Sequence, residues 1–304
     1  MTMKAVVLHE YGGPDKLKYE EWGDPQAGDG QILIRVTAAG VNPIDWKIRS
    51  GAMKDFMPLE LPTILGYDYS GVVRSVGKGV TGYAEGDKVF GRAGKTYAEF
   101  LLADLAGLSK VPDGLDPIEA AALPVVLNTG HQLITEAGKV QPGQTVIITG
   151  ALGSVGRTAV WVAKKLGAHV IAGVRGSQKK AAEELGADAV LALDSQQEMD
   201  SLGLVEVVAD TIGGKVSDAL LGKVKPGGTY ASVVGPPLNA KLYPNVKVEA
   251  FGSHPDAAGM RALAEDIANG RFKISIDRTM PLADAAKAHA EAEKGGIGKI
   301  LLLA

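Results

Sequence analysis

Thr149-Gly150-Ala151-Leu152-Gly153-Ser154-Val155-Gly156 is the stretch on which the fold turns. It closes the β-branched run Thr145–Thr149 and leads into a helical pattern over Arg157–Leu166, which Gly167 stops. A strand, a glycine turn and a helix in that order suit a dinucleotide site. One glycine lets the chain reverse, and another lets the backbone approach a pyrophosphate with no Cβ in the way. A third lets helix and strand pack closely. The N–H groups that open the helix then face the phosphates. The spacing is Gly150-x-x-Gly153-x-x-Gly156, with Ala151 at the usual first glycine of G-x-G-x-x-G. Gly150, Ala151, Gly153, Ser154, Val155 and Gly156 are the cofactor contacts this turn predicts.

Downstream the rhythm continues. His169–Val174 reads as a second strand and Lys179–Leu185 as a helix stopped at Gly186; Ala189–Leu193 reads as a third strand. Val205–Ala209, Thr229–Val234 and Val246–Phe251 supply further strands, with a helical stretch around Val216–Gly222. Strands alternating with helices predict parallel βαβ units in a doubly wound sheet. The ends of its later strands place Ile212, Val233, Val234, Phe251, Gly252 and Ser253 as backbone-dominated cofactor contacts, because ligands of open α/β sheets bind beyond the carboxyl ends of strands. Asp210 reads as a structural turn carboxylate.

Upstream, the first ~120 residues are β-rich. Lys4–Leu8, Gln31–Thr37, Ser70–Val76 and Lys88–Phe90 are short β-branched runs between Gly/Pro/Asp clusters. At Asp116-Pro117 an aspartate able to cap a helix precedes a proline suited to its first turn. The last ~50 residues hold two helical patterns, Ala257–Ala268 and Leu282–Lys294, and a closing strand Lys299–Leu303.

Composition excludes several classes. With Lys+Arg 32 against Asp+Glu 35 the net charge is −3, which argues against a general nucleic-acid binder. Glycine is 40 of 304 residues, nearly twice the ~7% of average usage, which fits many tight turns. Cysteine is absent, so disulfides, thiolate metal sites and a cysteine nucleophile are impossible. Nowhere do ~18 apolar residues run uninterrupted, so no membrane-spanning helix is expected. A soluble, cytoplasmic protein is the expectation.

About 20 residues after the glycine turn, a carboxylate at the end of the second strand would bind the ribose 2′-hydroxyl. Val174 stands there, followed by Arg175, Gly176, Ser177, Gln178 and Lys179. A valine in place of the acid, with donors on Arg175, Ser177 and Lys179 for a 2′-phosphate, favours NADPH over NADH. A solvated basic turn is the alternative.

Ala39-Gly40-Val41-Asn42-Pro43-Ile44-Asp45, Gly66-Tyr67-Asp68-Tyr69-Ser70-Gly71, Gly86-Asp87-Lys88-Val89, Leu123-Pro124 before Asn128-Thr129, the glycine turn and Gly298-Lys299-Ile300 occur in this order. In that order and spacing the chain resembles the zinc-independent quinone oxidoreductase branch of the medium-chain dehydrogenase/reductase superfamily. The resemblance implies a GroES-like β domain over 1–123 with 257–304, and a Rossmann NADPH-binding domain over 124–256. It further implies a homodimer, and a cofactor and substrate that meet in the interdomain cleft. Zinc-dependent relatives carry Cys near the Asn42 segment and His where Tyr67 stands. Neither ligand exists here, and His9, His131, His169, His254 and His289 lack ligand spacing. No metal is expected.

Metal-free hydride transfer needs a held nicotinamide, a stacked electrophile and donors near the developing oxyanion. Quinones and conjugated enones suit such a site, because their own π system accepts the hydride; simple alcohols suit it poorly. Four residues are the catalytic candidates. Asn42 either hydrogen-bonds cofactor or carbonyl, or shapes the turn before Pro43. Asp45 either orients a donor or water, or caps a helix. Tyr67, at the former metal-ligand position, either offers its O–H to the substrate or packs as an aromatic. Thr129 resembles the family's threonine near the nicotinamide, against a helix hydroxyl bonding its own backbone. Lys299, near the C-terminus, either reaches the cofactor or is a strand-edge charge, the second being the expectation. The implied activity is reduction of quinones or related conjugated carbonyls, with an alkenal/enone double-bond reductase or a non-catalytic NADPH-binding sensor as alternatives.

Overall fold

The computed structural model describes residues 2–296 and 298–304, which cluster into two compact units: 2–125 with 255–296 and 298–304, and 126–254. In chain order the strands are β1 (Thr2–Leu8), β2 (Leu17–Gly23), β3 (Gln31–Gly40), β4 (Thr63–Ile64), β5 (Asp68–Val76), β6 (Lys88–Arg92), β7 (Phe100–Asp104), β8 (Leu108–Lys110), β9 (Thr145–Thr149), β10 (His169–Val174), β11 (Ala189–Ala192), β12 (Val205–Asp210), β13 (Val224–Ser232), β14 (Lys247–Ala250), β15 (Ile276–Pro281) and β16 (Lys299–Leu303). The α-helices are α1 (Pro43–Arg49), α2 (Pro117–Ala120), α3 (Pro124–Gln132), α4 (Ser154–Lys165), α5 (Lys179–Ala182), α6 (Gln196–Ser201), α7 (Gly214–Leu221), α8 (Ala257–Ala268) and α9 (Ala285–Ala292).

The second unit is a six-stranded sheet in the order β11-β10-β9-β12-β13-β14, with each neighbouring pair parallel. Strand order thus reverses between β9 and β12, the arrangement that opens a ligand crevice at the strands' carboxyl ends. Ile147, Val208, Leu220, Leu221 and Tyr230 bury one face of this sheet with its helices. α4 is amphipathic: Thr158, Ala159, Val160, Val162 and Ala163 are buried, while its C-terminus carries Lys164 and Lys165, where cations favour the helix dipole. Gly167 and Gly186 adopt the left-handed conformation that ends helices, at the positions the sequence marks for stops.

The first unit is built mainly on antiparallel pairing, with β15 and β16 parallel. A seven-stranded sheet runs β15-β16-β3-β5-β6-β8, with β7 also on β3, and β2-β1-β4 form a smaller sheet. Val6, Leu8, Ile48, Tyr97, Ile300 and Leu302 belong to one core; Ile32, Ile34, Tyr69, Val73 and Leu101 belong to another. Asp116 caps α2 through Ile118 N–H at 2.7 Å and Glu119 N–H at 3.1 Å, in the expected role.

Element boundaries moved where glycine and proline interrupt the pattern. β13 begins at Val224, not Thr229, and runs through Pro226-Gly227-Gly228, residues that ordinarily disfavour a strand interior. Its register on β12 shifts between Val205 and Val207, so the extra residues are taken up as an irregularity rather than a loop. α4 begins at Ser154, not Arg157, because Gly156 weakens the helical signal over its first turn. Among the described residues no helix is long and apolar enough to cross a membrane.

Candidate active site

In the second unit, the turn after β9 is shaped by close approach. Gly150 has φ +60°, and a Cβ on it would lie 2.5 Å from Thr211 Oγ1. A Cβ on Gly156 would lie 2.2 Å from the Gly150 carbonyl oxygen and 2.7 Å from Ala151 Cα, so helix and turn touch there only because the side chain is missing. Ala151 is buried with its N–H on the Gly173 carbonyl at 3.2 Å, while Gly153 is exposed. Ser154, Val155 and Gly156 form the first turn of α4, whose N–H groups have no intrahelical acceptor. This cradle fits a pyrophosphate: exposed backbone donors, a helix N-terminus and no side chain in the approach.

Asp210 organises the neighbouring strand end. Its carboxylate accepts from Thr149 Oγ1 at 2.7 Å, Ser217 Oγ at 2.9 Å, Ser232 Oγ at 3.2 Å and the N–H groups of Ile212 and Gly213. It is a structural carboxylate, as the sequence suggests. The bonds to Ile212 and Gly213 set the turn after β12 and leave the Ile212 side chain exposed, as is that of Val234 after β13. Val233 and Phe251 are half-buried, Gly252 is exposed, and Ser253 Oγ lies 2.8 Å from Thr129 Oγ1. Thr129 therefore bonds another strand end rather than its own helix backbone, and Thr129, Ile212, Val233, Val234, Phe251, Gly252 and Ser253 all sit on α3 or just beyond β12, β13 and β14.

The turn after β10 is different from its sequence reading. Arg175 and Ser177 are exposed, but Lys179 Nζ is held by both oxygens of Glu198, at 2.9 and 3.0 Å. Asp194 Oδ1 accepts the Gly176 N–H at 2.7 Å. The acid missing from the end of β10 in sequence is thus returned from beyond the end of β11 by the fold. Of the three donors proposed for a 2′-phosphate, Lys179 is already paired.

In the first unit the chemistry-bearing residues of several distant segments resolve into one buried polar cluster.

 Asn42 is the N-cap residue of α1, and Asp45, at its third position rather than at the cap itself, helps to cap the helix by reaching back to the Asn42 N–H as in a capping box. Asp45 Oδ2 accepts the Asn42 N–H at 2.7 Å and the Tyr97 O–H at 2.8 Å, while its Oδ1 is buried without a partner among the described residues. Asn42 turns its side chain away from the helix: Nδ2 donates to Asp68 Oδ2 at 2.8 Å, and Oδ1 accepts from Lys299 Nζ at 2.6 Å. Asp68 Oδ1 accepts the Val125 N–H at 2.7 Å. Lys299 also donates to the Val41 carbonyl at 3.1 Å and lies 3.4 Å from Asp68 Oδ2. The strand-edge reading of Lys299 is therefore wrong, because β16 lies between β15 and β3 and carries the ammonium into the interior.

Behind Asp45 a line of donors fixes its geometry. Arg49 Nη1 donates to His289 Nδ1 at 3.1 Å, which leaves the proton on Nε2, 3.1 Å from the Tyr97 oxygen; Tyr97 in turn donates to Asp45. Arg49 also pairs with Glu293 and donates to the Gly12 carbonyl at 3.1 Å. Burial, followed by the Arg49 charge, pushes the His289 imidazole down to about 3, so it is neutral. Burial pushes the Asp45 carboxyl up to about 7 against the hydrogen bonds from Asn42 and Tyr97. Asp68 is raised by burial and lowered chiefly by Lys299. Tyr67 is half-buried against the core, and its hydroxyl bonds none of the described residues. Burial first, and the Asp45 charge second, raise its pKa, with the Arg92 guanidinium opposing them. The Tyr67 hydroxyl is thus a proton-bearing donor near a cation.

The alcohol dehydrogenase GroES-like domain family matches residues 28–113, and the zinc-binding dehydrogenase family matches residues 185–302. The 2-haloacrylate reductase of Burkholderia sp is 31% identical over 98% of each chain. The chain belongs to the medium-chain dehydrogenase/reductase superfamily, on its quinone oxidoreductase branch. The solved quinone oxidoreductase of Coxiella burnetii superposes with a TM-score of 0.89 at 28% identity, covering 100% of both chains. A mycobacterial protein complexed with NADPH superposes with a TM-score of 0.85 at 30% identity, covering 99% of this chain and 100% of that one. Membership makes this medium-chain dehydrogenase/reductase chain an oxidoreductase and a binder of a nicotinamide cofactor. Despite the zinc in one family's description, among the described residues no group of three or more His, Cys, Asp or Glu could hold a metal ion.

Sequence reasoning brought out Asn42, Asp45, Tyr67 and Thr129 but missed Tyr97, Arg49, His289 and the placement of Lys299. Lys299 donates to Asn42 across a sequence separation of 257 residues, and no local pattern announces such a contact. Asp68 stood inside a quoted motif, and the signal available for it was a charge in a run otherwise suited to a buried strand.

Proposed function

We propose that this protein reduces quinones or related conjugated carbonyls with NADPH, without a resident metal. The observation that carries the reading is the cradle after β9, in which the missing side chains of Gly150 and Gly156 admit a phosphate to the first turn of α4. Gly153, Ser154, Val155 and Gly156 would hold the pyrophosphate, with Ala151 packed beneath it. Arg175, Ser177 and Lys179 would face the adenosine ribose, and Thr129, Ile212, Val233, Val234, Phe251, Gly252 and Ser253 would line the remainder of the nucleotide. A bound reduced nicotinamide supplies the hydride.

The chain's own residues supply polarisation and order. Tyr67 keeps its proton at neutral pH and donates it toward a developing oxyanion, with the Arg92 charge nearby. Asn42 is locked by Lys299 and Asp68. This fixes the start of α1 and so the place of Asp45, whose second oxygen has no partner among the described residues. A quinone needs little more, because its reduced anion is stabilised and water can protonate it. An enone needs a donor at oxygen, and the protonated Tyr67 hydroxyl favours that second reading.

The reading draws support from the quinone oxidoreductase and 2-haloacrylate reductase relatives, whose named substrates are a quinone and a conjugated acid. As in the resemblance, we take the protein to act as a homodimer. The test is NADPH oxidation against a panel of quinones and a panel of enones, with and without exhaustive chelation. Turnover on either panel that survives chelation is expected. Tight NADPH binding with no turnover on both panels would make the protein a sensor.

A further inference from the structure

The end of β10 carries valine where a ribose-binding acid is usual, yet a carboxylate occupies that neighbourhood. Leu193 N–H bonds the Val174 carbonyl at 2.8 Å, which ties the segment after β11 to the end of β10. Asp194 follows at once and accepts the Gly176 N–H with Oδ1, while its Oδ2 accepts no bond from a described residue and the side chain is exposed. Glu198 occupies the same neighbourhood from α6. Its Oε2 accepts the Ala192 N–H at 2.9 Å, and both its oxygens take Lys179. The Arg175 guanidinium is exposed and bonds none of the described residues.

We propose that Asp194 and Glu198 determine cofactor specificity: Asp194 offers Oδ2 to the ribose 2′-hydroxyl, and Glu198 holds Lys179 away from a 2′-phosphate. This rests on reading the turn after β9 as the nucleotide site. A 2′-phosphate gains Arg175 but meets the Asp194 charge, and it recruits Lys179 only by separating it from Glu198. A 2′-hydroxyl instead finds an ionised acceptor and needs no cation. The protein therefore takes NADH as well as NADPH, with a small preference where three unopposed donors would give a large one.

Dissociation constants for NADPH and NADH, measured by calorimetry on the full chain, test this. Asp194→Asn keeps an acceptor for the Gly176 N–H while removing the charge, and Glu198→Gln keeps an acceptor for Ala192 while releasing Lys179. The parent is expected to bind the two nucleotides within about tenfold of each other, and each variant to raise the NADPH preference by about tenfold. Arg175→Ala is expected to move the ratio the other way. A parent preference above about a hundredfold, unmoved by Asp194→Asn and Glu198→Gln, overturns this inference and leaves the proposed function standing. Failure of the parent to bind either nucleotide overturns both.

Discussion

Replacing Lys299 with methionine removes the ammonium from the centre of the first unit's polar cluster at nearly constant length. The side chain is 6% exposed and the Asp68 side chain 0%, so water cannot take its place at little cost. Three acceptors lose their donor: the Val41 carbonyl, Asn42 Oδ1 and Asp68 Oδ2. Asp68 keeps the hydrogen bonds from Asn42 Nδ2 and the Val125 N–H and the weaker influence of the Arg92 charge. Breaking a buried pair from one side costs ~3–5 kcal/mol, because the remaining charge stays buried and uncompensated. Lys299→Met should therefore lower the unfolding free energy by about that amount. The loss should depend on pH. Burial already holds the Asp68 carboxyl above its ordinary value, and Lys299 is the main opposing influence. Without Lys299 the folded-state pKa rises further. An acid with a raised folded pKa stabilises fully below its unfolded pKa, and that contribution is lost as pH rises through the folded value. The penalty should accordingly be larger at pH 8 than at pH 5. Chemical unfolding at both pH values, followed by tryptophan fluorescence, measures it. Adding Asp68→Asn should recover much of the stability. A penalty below about 1 kcal/mol, equal at the two pH values, would refute the buried pair and make Lys299 an ordinary surface lysine.

The remaining expectations follow from the same geometry. Asp45, raised from 3.8 to about 7, should make stability fall as pH rises from about 4 to about 7, and Asp45→Asn should flatten that slope in pH-resolved unfolding. His289, lowered from 6.5 to about 3, contributes stability present above its unfolded pKa and lost as pH falls toward 3; NMR of the imidazole should show it neutral at pH 5. Tyr67→Phe should depress enone reduction by ~100–1000-fold while leaving quinone reduction largely intact, since only the enone needs the donor. Equal small effects on both substrates, read from kcat, would make Tyr67 a packing residue. Gly156→Ala should abolish nucleotide binding or folding, because its Cβ would meet the Gly150 carbonyl oxygen at 2.2 Å; near-parent binding in calorimetry would mean the turn is looser than described.

The doubly wound sheet was legible because its signals are local. Each of β9, β10 and β12 is a short apolar run, and Gly150, Gly167 and Gly186 punctuate them where a left-handed residue is needed. β13 was misread at its start because Pro226-Gly227-Gly228 normally breaks a strand, and the irregular pairing with β12 that absorbs it is a tertiary effect. The site was legible where one segment carries it, as at Asn42 and Asp45 on α1. It was hidden where distant segments converge: Lys299 reaches Asn42 from the last strand, and His289 reaches Tyr97 across 192 residues. The turn after β10 was legible only in part, for the same reason. Its sequence shows Arg175, Ser177 and Lys179 with no acid, while Asp194 and Glu198 return to it through the parallel pairing of β10 with β11.

The most direct measurement is a single-turnover reaction with NADPH deuterated at the transferring C4 position, run in chelator with one quinone and one enone. NADPH should be oxidised in stoichiometric amount by at least one of the two acceptors, with deuterium appearing on the carbon of any enone product. An acceptor that is left untouched while NADPH stays bound and unoxidised, for both substrates, would contradict a metal-free hydride-transferring reductase.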